Sequence, residues 1–224
     1  MKSARRTVAL LIVMAIILAA AAGCAKEQMK YSGFLGNYPK FQKGPSGGVA
    51  LVYVKKGADF SKYNKVMFDQ VVFYLSKDAK YNDIQPEQMK ELADEFARAA
   101  VKEMKGAYPI VAEPGPDVLR VRVAITGIEP GNPVKSGITT VVPVGLVMSV
   151  IKKGTTGSYP GVGSASMEAE FLDSSTNERL AAAIDKRPGS KFSGFTKYGA
   201  AKEAFEFWAK RLRVFLDHAH GKQE

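Results

Sequence analysis

Leu119, Val121, Val123 and Ile125 alternate with Arg120, Arg122 and Ala124, a period of two that predicts a strand with one wet face. The same period runs through "SASMEAEFLDSSTNERLAAAIDKR", residues 164–187. Met167, Ala169 and Phe171 share one face, and Leu180, Ala182 and Ile184 share another. Setting Phe171 opposite Leu180 buries both sets at once and leaves "SSTN" as the closing turn; a one-residue slip would expose one set. "VALVYV" (49–54) and "KVMFDQVVFYL" (65–75) are rich in β-branched and aromatic residues and predict two more strands. In the second of these the alternation slips near Gln70, where a bulge is expected.

Two stretches carry a helical period instead. Pro86 suits a first helical position and Gly106 follows the end, and Met89, Leu92, Phe96, Ala100 and Met104 recur between them at three- and four-residue steps. Ala201, Phe205, Trp208, Leu212 and Phe215 repeat the pattern within a helix predicted over 196–218. Such stripes cover a sheet, and Trp208, the only tryptophan, reads as a core anchor. The order of elements predicts an α+β fold: a mostly antiparallel or mixed sheet with two main helices packed on one face.

The start of the chain has a different grain. Lys2, Arg5 and Arg6 precede an uncharged, mostly apolar run from Thr7 to Ala22, the layout of a secretory signal peptide; the other reading is an uncleaved membrane helix. The run ends Ala21-Ala22-Gly23-Cys24, which resembles the bacterial lipoprotein signal. That resemblance implies that residues 1–23 are removed and that Cys24 carries a thioether-linked diacylglycerol and an N-acyl chain such as palmitate. Two or more acyl chains anchor a protein stably where one does not. Ala25, and not an aspartate, follows the cysteine, which resembles the sorting pattern for the outer membrane in proteobacteria. Residues 24–48 are polar with Gly, Pro and Ser and read as a tether; Tyr31, Phe34, Tyr38 and Phe41 predict that parts of it dock on the domain that follows, residues 49–220.

Composition adds two constraints. Cys24 is the only cysteine, so an exported domain would have no internal disulfide and would rest on its core. The formal net charge is +10, of which the basic start holds three, leaving about +7 beyond it, a balance that suits anionic neighbours such as headgroups or cell-wall polymers. Nucleic acid is not an expected partner in that compartment, and dispersed solvated lysines explain the balance equally well.

No enzyme signature emerges. Ser149-Val150-Ile151-Lys152 matches the S-x-x-K pattern, but Lys135-Ser136-Gly137 lies before it and not after, so the match reads as chance. The two histidines, His218 and His220, sit at a helix end and point apart, so neither a metal set nor a Ser-His-Asp triad is expected, and no cofactor. Glu168 and Glu170 share one strand face, opposite the predicted core, where charge is ordinary. "GTTGSYPGVG" lacks a phosphate-binding pattern.

One run remains. "SGITTVVPVGLVMSVI", residues 136–151, is uncharged; as a helix it would span ~24 Å, short of a ~30 Å hydrocarbon core, and Pro143 would interrupt it. It reads either as a buried cover for the sheet or as an exposed apolar patch, with Val141, Val142, Leu146, Val147 and Met148 as the candidate interaction segment.

Together "SGFL" (32–35), "SKYNKV" (61–66), "GPDVLRVRVAIT" (115–126), "EAEFLDSSTNERLAA" (168–182) and "FEFWAKRL" (205–212) resemble an uncharacterised family of bacterial lipoproteins, the domain of unknown function numbered 3313. The family turn reads D-S-x-T-G-E; Asn177 takes its glycine position and tolerates the left-handed conformation. The resemblance implies a fold and an envelope location but no activity. The expectation is a non-catalytic accessory protein of the cell envelope, held to the membrane by its lipid and working with an envelope protein. The alternatives are a lipid- or cell-wall-binding module, or a hydrolase of unrecognised type, which would need a deep pocket gathering Glu168, Glu170 or Asp185.

Overall fold

The long alternating run around Arg120 becomes the backbone of the sheet. In a computed structural model the described residues are 31–75, 84–132, 161–190, 192–193 and 196–222. Cys24 and the run 136–151, with Val141, Val142, Leu146, Val147 and Met148, lie outside them. The elements are β1 (Gln42–Lys43), β2 (Leu51–Val54), β3 (Lys65–Phe68), β4 (Val72–Phe73), α1 (Pro86–Met104), β5 (Val118–Glu129), β6 (Ser164–Asp173), β7 (Arg179–Pro188) and α2 (Gly199–Ala219). Seven strands form one sheet in the order β1-β2-β7-β6-β5-β3, with β4 also on β5. The first five strands of that order are antiparallel, whereas β3 and β4 run parallel to β5. The fold is α+β with a mixed sheet.

Both helices cover one sheet face, as their stripes predict. Leu92, Phe96 and Met104 of α1 and Phe205, Trp208, Leu212 and Leu216 of α2 share a core with Leu119, Val121, Val123 and Ile125 of β5 and Met167 and Ala169 of β6. Phe96 and Phe205 meet edge-on at 5.7 Å between ring centres, a favoured aromatic geometry. Helix α1 begins at Pro86, with the Gln88 side chain accepting the Gln85 N–H at 3.3 Å. Helix α2 starts three residues later than the stripe suggests. Thr196 instead accepts the Gly199 N–H in a turn ahead of it, at 3.3 Å.

The slip near Gln70 is a bulge. From Phe68 to Val72 the outer strand advances four residues while its partners, Val121 and Ala124, are three apart. Such an insertion re-aims the side chains beside it.

The register predicted for the β6–β7 hairpin holds only beside its turn. Leu172 pairs with Arg179, but Phe171 pairs with Ala181, Ala169 with Ala183 and Met167 with Asp185. Leu180 is the extra residue, and its carbonyl accepts the Lys55 N–H at 2.8 Å. Beyond this bulge Ala181, Ala183 and Asp185 face the helices, while Ala182 and Ile184 lie on the other face, the reverse of the expectation. Neither set is exposed, because both faces of β7 are covered over Leu180–Asp185. The turn itself behaves as expected, with Asn177 at φ 58° and its N–H on the Asp173 carbonyl at 2.8 Å.

Two buried tyrosines close the end of the core near the α2 C-terminus. The Tyr63 hydroxyl donates to Asp173 at 2.8 Å and that of Tyr108 to Asp217 at 2.9 Å. Burial, reinforced by these carboxylates, pushes each hydroxyl up to about 12. Burial alone would raise Asp173, but bonds from Tyr63, Lys62 and the Thr176 N–H outweigh it and hold the carboxyl well below its usual range. Because the folded values of the tyrosines lie above the unfolded value of ~10, their contribution is complete below pH ~10 and is lost as pH rises towards 12. Asp173 works in the opposite sense, stabilising above pH ~4 and losing that contribution in acid. Denaturant midpoints taken from pH 8 to 12 should fall steeply above pH 10 in the native chain and less steeply in a Tyr63→Phe/Tyr108→Phe variant.

Candidate functional site

The sheet face away from the helices gathers the charge. Alternation along β5 puts Arg120 and Arg122 there, and the β5–β6 register sets Arg122 beside Glu170 and Ala124 beside Glu168. The bulge after β3 brings Asp69 to the same place. Its carboxylate accepts two bonds from Arg120, both at 2.8 Å, and lies 3.4 Å from Arg122. Arg120 also donates to the Asn177 side chain at 2.7 Å. Glu170, 3% exposed, is held between Arg122, in a close contact, and Arg179 at 2.7 Å. Bidentate and charge-assisted pairs of this kind fix geometry as well as energy.

A strap closes over this face. Arg179 donates to the carbonyls of Asn37 at 2.5 Å and Leu35 at 2.7 Å. Glu168, 1% exposed, accepts the Ser32 N–H at 2.6 Å and the Tyr38 hydroxyl at 2.7 Å. Burial and the Glu168 carboxylate raise Tyr38 above its ordinary value, so it remains a donor at neutral pH. Gly33 and Gly36 turn the strap through the left-handed region, φ 101° and 65°, where a side chain would be strained. Phe34 lies under the Arg122 guanidinium at 5.3 Å and edge-on to Tyr74 at 6.3 Å. Between strap, β5 and β7 an open cleft of about 460 Å³ is lined by Phe34, Leu35, Asp69, Arg120, Arg122, Glu170 and Arg179, among others.

Replacing Glu168 by Ala removes the acceptor that serves both ends of the strap. Charge-assisted bonds contribute about 1.5–3 kcal/mol each. Amide exchange at residues 32–36 is therefore expected to accelerate about tenfold or more, while the amides of β5 and β6 keep their protection.

Several sequence expectations change here. Glu168 and Glu170 do share a face opposite the helices, but that face is covered and they are buried. Asp185 lies on the opposite side of the sheet, so no pocket gathers the three. Its carboxylate, 3% exposed, accepts the Trp208 indole N–H at 2.7 Å and the Ala50 N–H at 2.9 Å. Trp208 is the anchor its stripe predicts, with this partner in addition. His220 does more than end a helix: its Nε2 lies 3.1 Å from the Tyr63 carbonyl and its ring 5.6 Å from that of Tyr108. Among the described residues no group of three His, Cys, Asp or Glu could hold a metal ion, and no helix is long and apolar enough to cross a membrane. Both carboxylates that line the cleft, Asp69 and Glu170, are engaged by guanidinium groups.

The class defined by these features is an α+β domain whose single mixed sheet carries helices on one face and a strapped, charged cleft on the other. The chain belongs to the family described as "Protein of unknown function (DUF3313)", whose model matches residues 30–212. No curated protein matches it in sequence. Among solved structures it is similar to the PelC dodecamer from Paraburkholderia phytofirmans, with 13% identity over 71% of this chain and 96% of that one and a TM-score of 0.39. It is also similar to a Xanthomonas campestris protein of family DUF330, at 12% identity over 70% and 86% and a TM-score of 0.37. A DUF4136 protein from Bacteroides thetaiotaomicron matches at 13% identity over 75% and 95%, with a TM-score of 0.35.

Proposed function

We propose that the protein is a lipid-anchored, non-catalytic accessory protein of the bacterial cell envelope, facing the periplasm from the outer membrane, and that it acts by binding through the sheet face away from α1 and α2. The observation that carries this reading is the cleft itself. Its three arginines and two carboxylates are preorganised by one another, which favours docking of a charged group over acid–base work. The signal-like start and Cys24 support the anchor. Two measurements test the two halves of the reading. Mass analysis of the N-terminal peptide from cells should show Cys24 as the first residue with acyl additions; an unmodified peptide retaining residues 1–23 would remove the anchor. Photo-crosslinking in cells from probes at Tyr74, exposed and edge-on to Phe34 of the cleft lining, and at Leu146 should give discrete adducts. Silence from both probes would remove binding at these two positions.

A further inference from the structure

The strap does more than cover the sheet, because it is also where the chain arriving from Cys24 meets the fold. The compact unit begins at Ser32, so at most about 28 Å of extended chain, eight residues at ~3.5 Å, separates it from Cys24. The Ser32 N–H sits on Glu168, and the pairing Glu168↔Ile184↔Leu51↔Lys43 continues that row across four strands to the sheet edge. Residues directly opposite in antiparallel pairs point to the same face, so Lys43 shares the face of the arrival point, about 14 Å away at ~4.8 Å per strand. Lys186, two residues beyond Ile184 on β7, shares it by alternation and is exposed, with its ammonium 3.5 Å from the Glu129 carboxylate in a solvent-exposed pair.

Charge and side-chain type on that face match a headgroup layer. Lys43 makes no ion pair among the described residues and is exposed; Arg122, with 38% of its side chain exposed, stands at the cleft, and Tyr74, 46% exposed, lies edge-on to Phe34 beside it. Lysine, arginine and tyrosine are the side chains that favour a membrane interface. The positive balance is also local in the sequence: residues 24–56 hold six lysines and one glutamate, about +5 of the roughly +7 beyond the first 23 residues, with Lys55 among them paired to Glu178.

Resting on the anchored reading above, we propose that the sheet face away from α1 and α2 lies on the anionic headgroup surface of the membrane that holds the lipid, with Lys43 and Lys186 as its principal contacts. An acyl anchor and a basic patch then act as two signals on one surface. Lysine on an edge strand such as β1 also discourages strand addition, and the experiment separates the two roles.

The chain without residues 1–23, carrying Cys24→Ser so that no lipid assists it, is sedimented with vesicles of phosphatidylcholine alone or with one part in three phosphatidylglycerol. Binding is expected to rise with the anionic lipid and to fall in high salt. Lys43→Gln/Lys186→Gln should weaken it about 30-fold, at ~1 kcal/mol per lysine. Lys105→Gln/Lys210→Gln, the same charge change on the helix side, should leave it within about threefold. Equal losses from both pairs, no preference for anionic vesicles, or self-association of the Lys43 variant with vesicle binding intact would each overturn the proposal. Because the lipid is absent from this assay, an acylated Cys24 with no vesicle preference removes the face alone. Vesicle preference with an unmodified Cys24 removes the anchor alone.

Discussion

Replacing Asp185 by Ala should destabilise the fold by about 3–5 kcal/mol, read from urea unfolding at neutral pH. The carboxylate is buried between β7, α2 and the residue leading into β2, and it accepts the Trp208 indole N–H and the Ala50 N–H. Arg187 stands 3.7 Å away. The alanine leaves two buried donors without an acceptor and a cavity under the largest side chain of α2, and each orphaned donor costs about 1–3 kcal/mol. Asp185→Asn keeps the volume and one acceptor oxygen, so about half the loss or less is expected. Trp208→Phe removes the indole donor but leaves the carboxylate its Ala50 and Arg187 partners. The two residues share one interaction, so the double variant should fall short of the summed losses by about 1 kcal/mol or more. An Asp185→Ala chain within about 1 kcal/mol of the native one would show that the neighbouring backbone rearranges to supply other acceptors.

The same residue explains where the sequence stopped being legible. Both helices announce themselves because their apolar residues recur over many turns, and the bulge near Gln70 is visible as a break in alternation. In β7 the stretch Leu180 to Ile184 is apolar throughout, so alternation cannot choose a face. Only Ile184 and Asp185 break the tie, and they break it the wrong way. A pattern puts isoleucine inward and aspartate outward; the fold does the reverse because Trp208, far away in sequence, supplies the donor that makes a buried Asp185 tolerable. The bulge at Leu180 then costs little, since both faces of the strand are covered.

The cleft was half legible for a related reason. That Arg120, Arg122, Glu168 and Glu170 share faces of their strands follows from period two alone. That the two glutamates are buried does not, because the cover is the strap 32–38, whose polar and glycine-rich composition reads as linker. Its aromatic residues were the usable signal: Phe34 stacks under Arg122 and Tyr38 bonds to Glu168. Strand β1, at two residues, is too short to show a period. The place of Asp69 depends on a bulge whose position alternation suggests but whose direction it does not.

Glu170→Ala is the second large effect expected, a loss of about 3 kcal/mol, the lower end of the range for breaking a buried pair. It sits at that end because the two guanidiniums it leaves behind are not fully enclosed. Arg122 keeps Asp69 and the Phe34 ring and has 38% of its side chain exposed. Arg179 keeps the Leu35 and Asn37 carbonyls with 24% exposed. Those retained bonds make the outcome specific. The strap should stay docked in Glu170→Ala, with amide exchange at residues 32–36 near native rates, and should loosen in Arg179→Ala, which cuts the two carbonyl bonds directly. Combining the two substitutions should cost less than their sum, because the second removes a charge that the first left unpaired. The native network should also weaken little between low salt and 0.5 M, since a carboxylate 3% exposed is poorly reached by mobile ions. If Glu170→Ala instead releases the strap as fully as Arg179→Ala does, the carboxylate is what orients Arg179. The cleft and the strap are then one cooperative unit, and any group docking among the arginines would be felt at the strap, close to Cys24 in the chain.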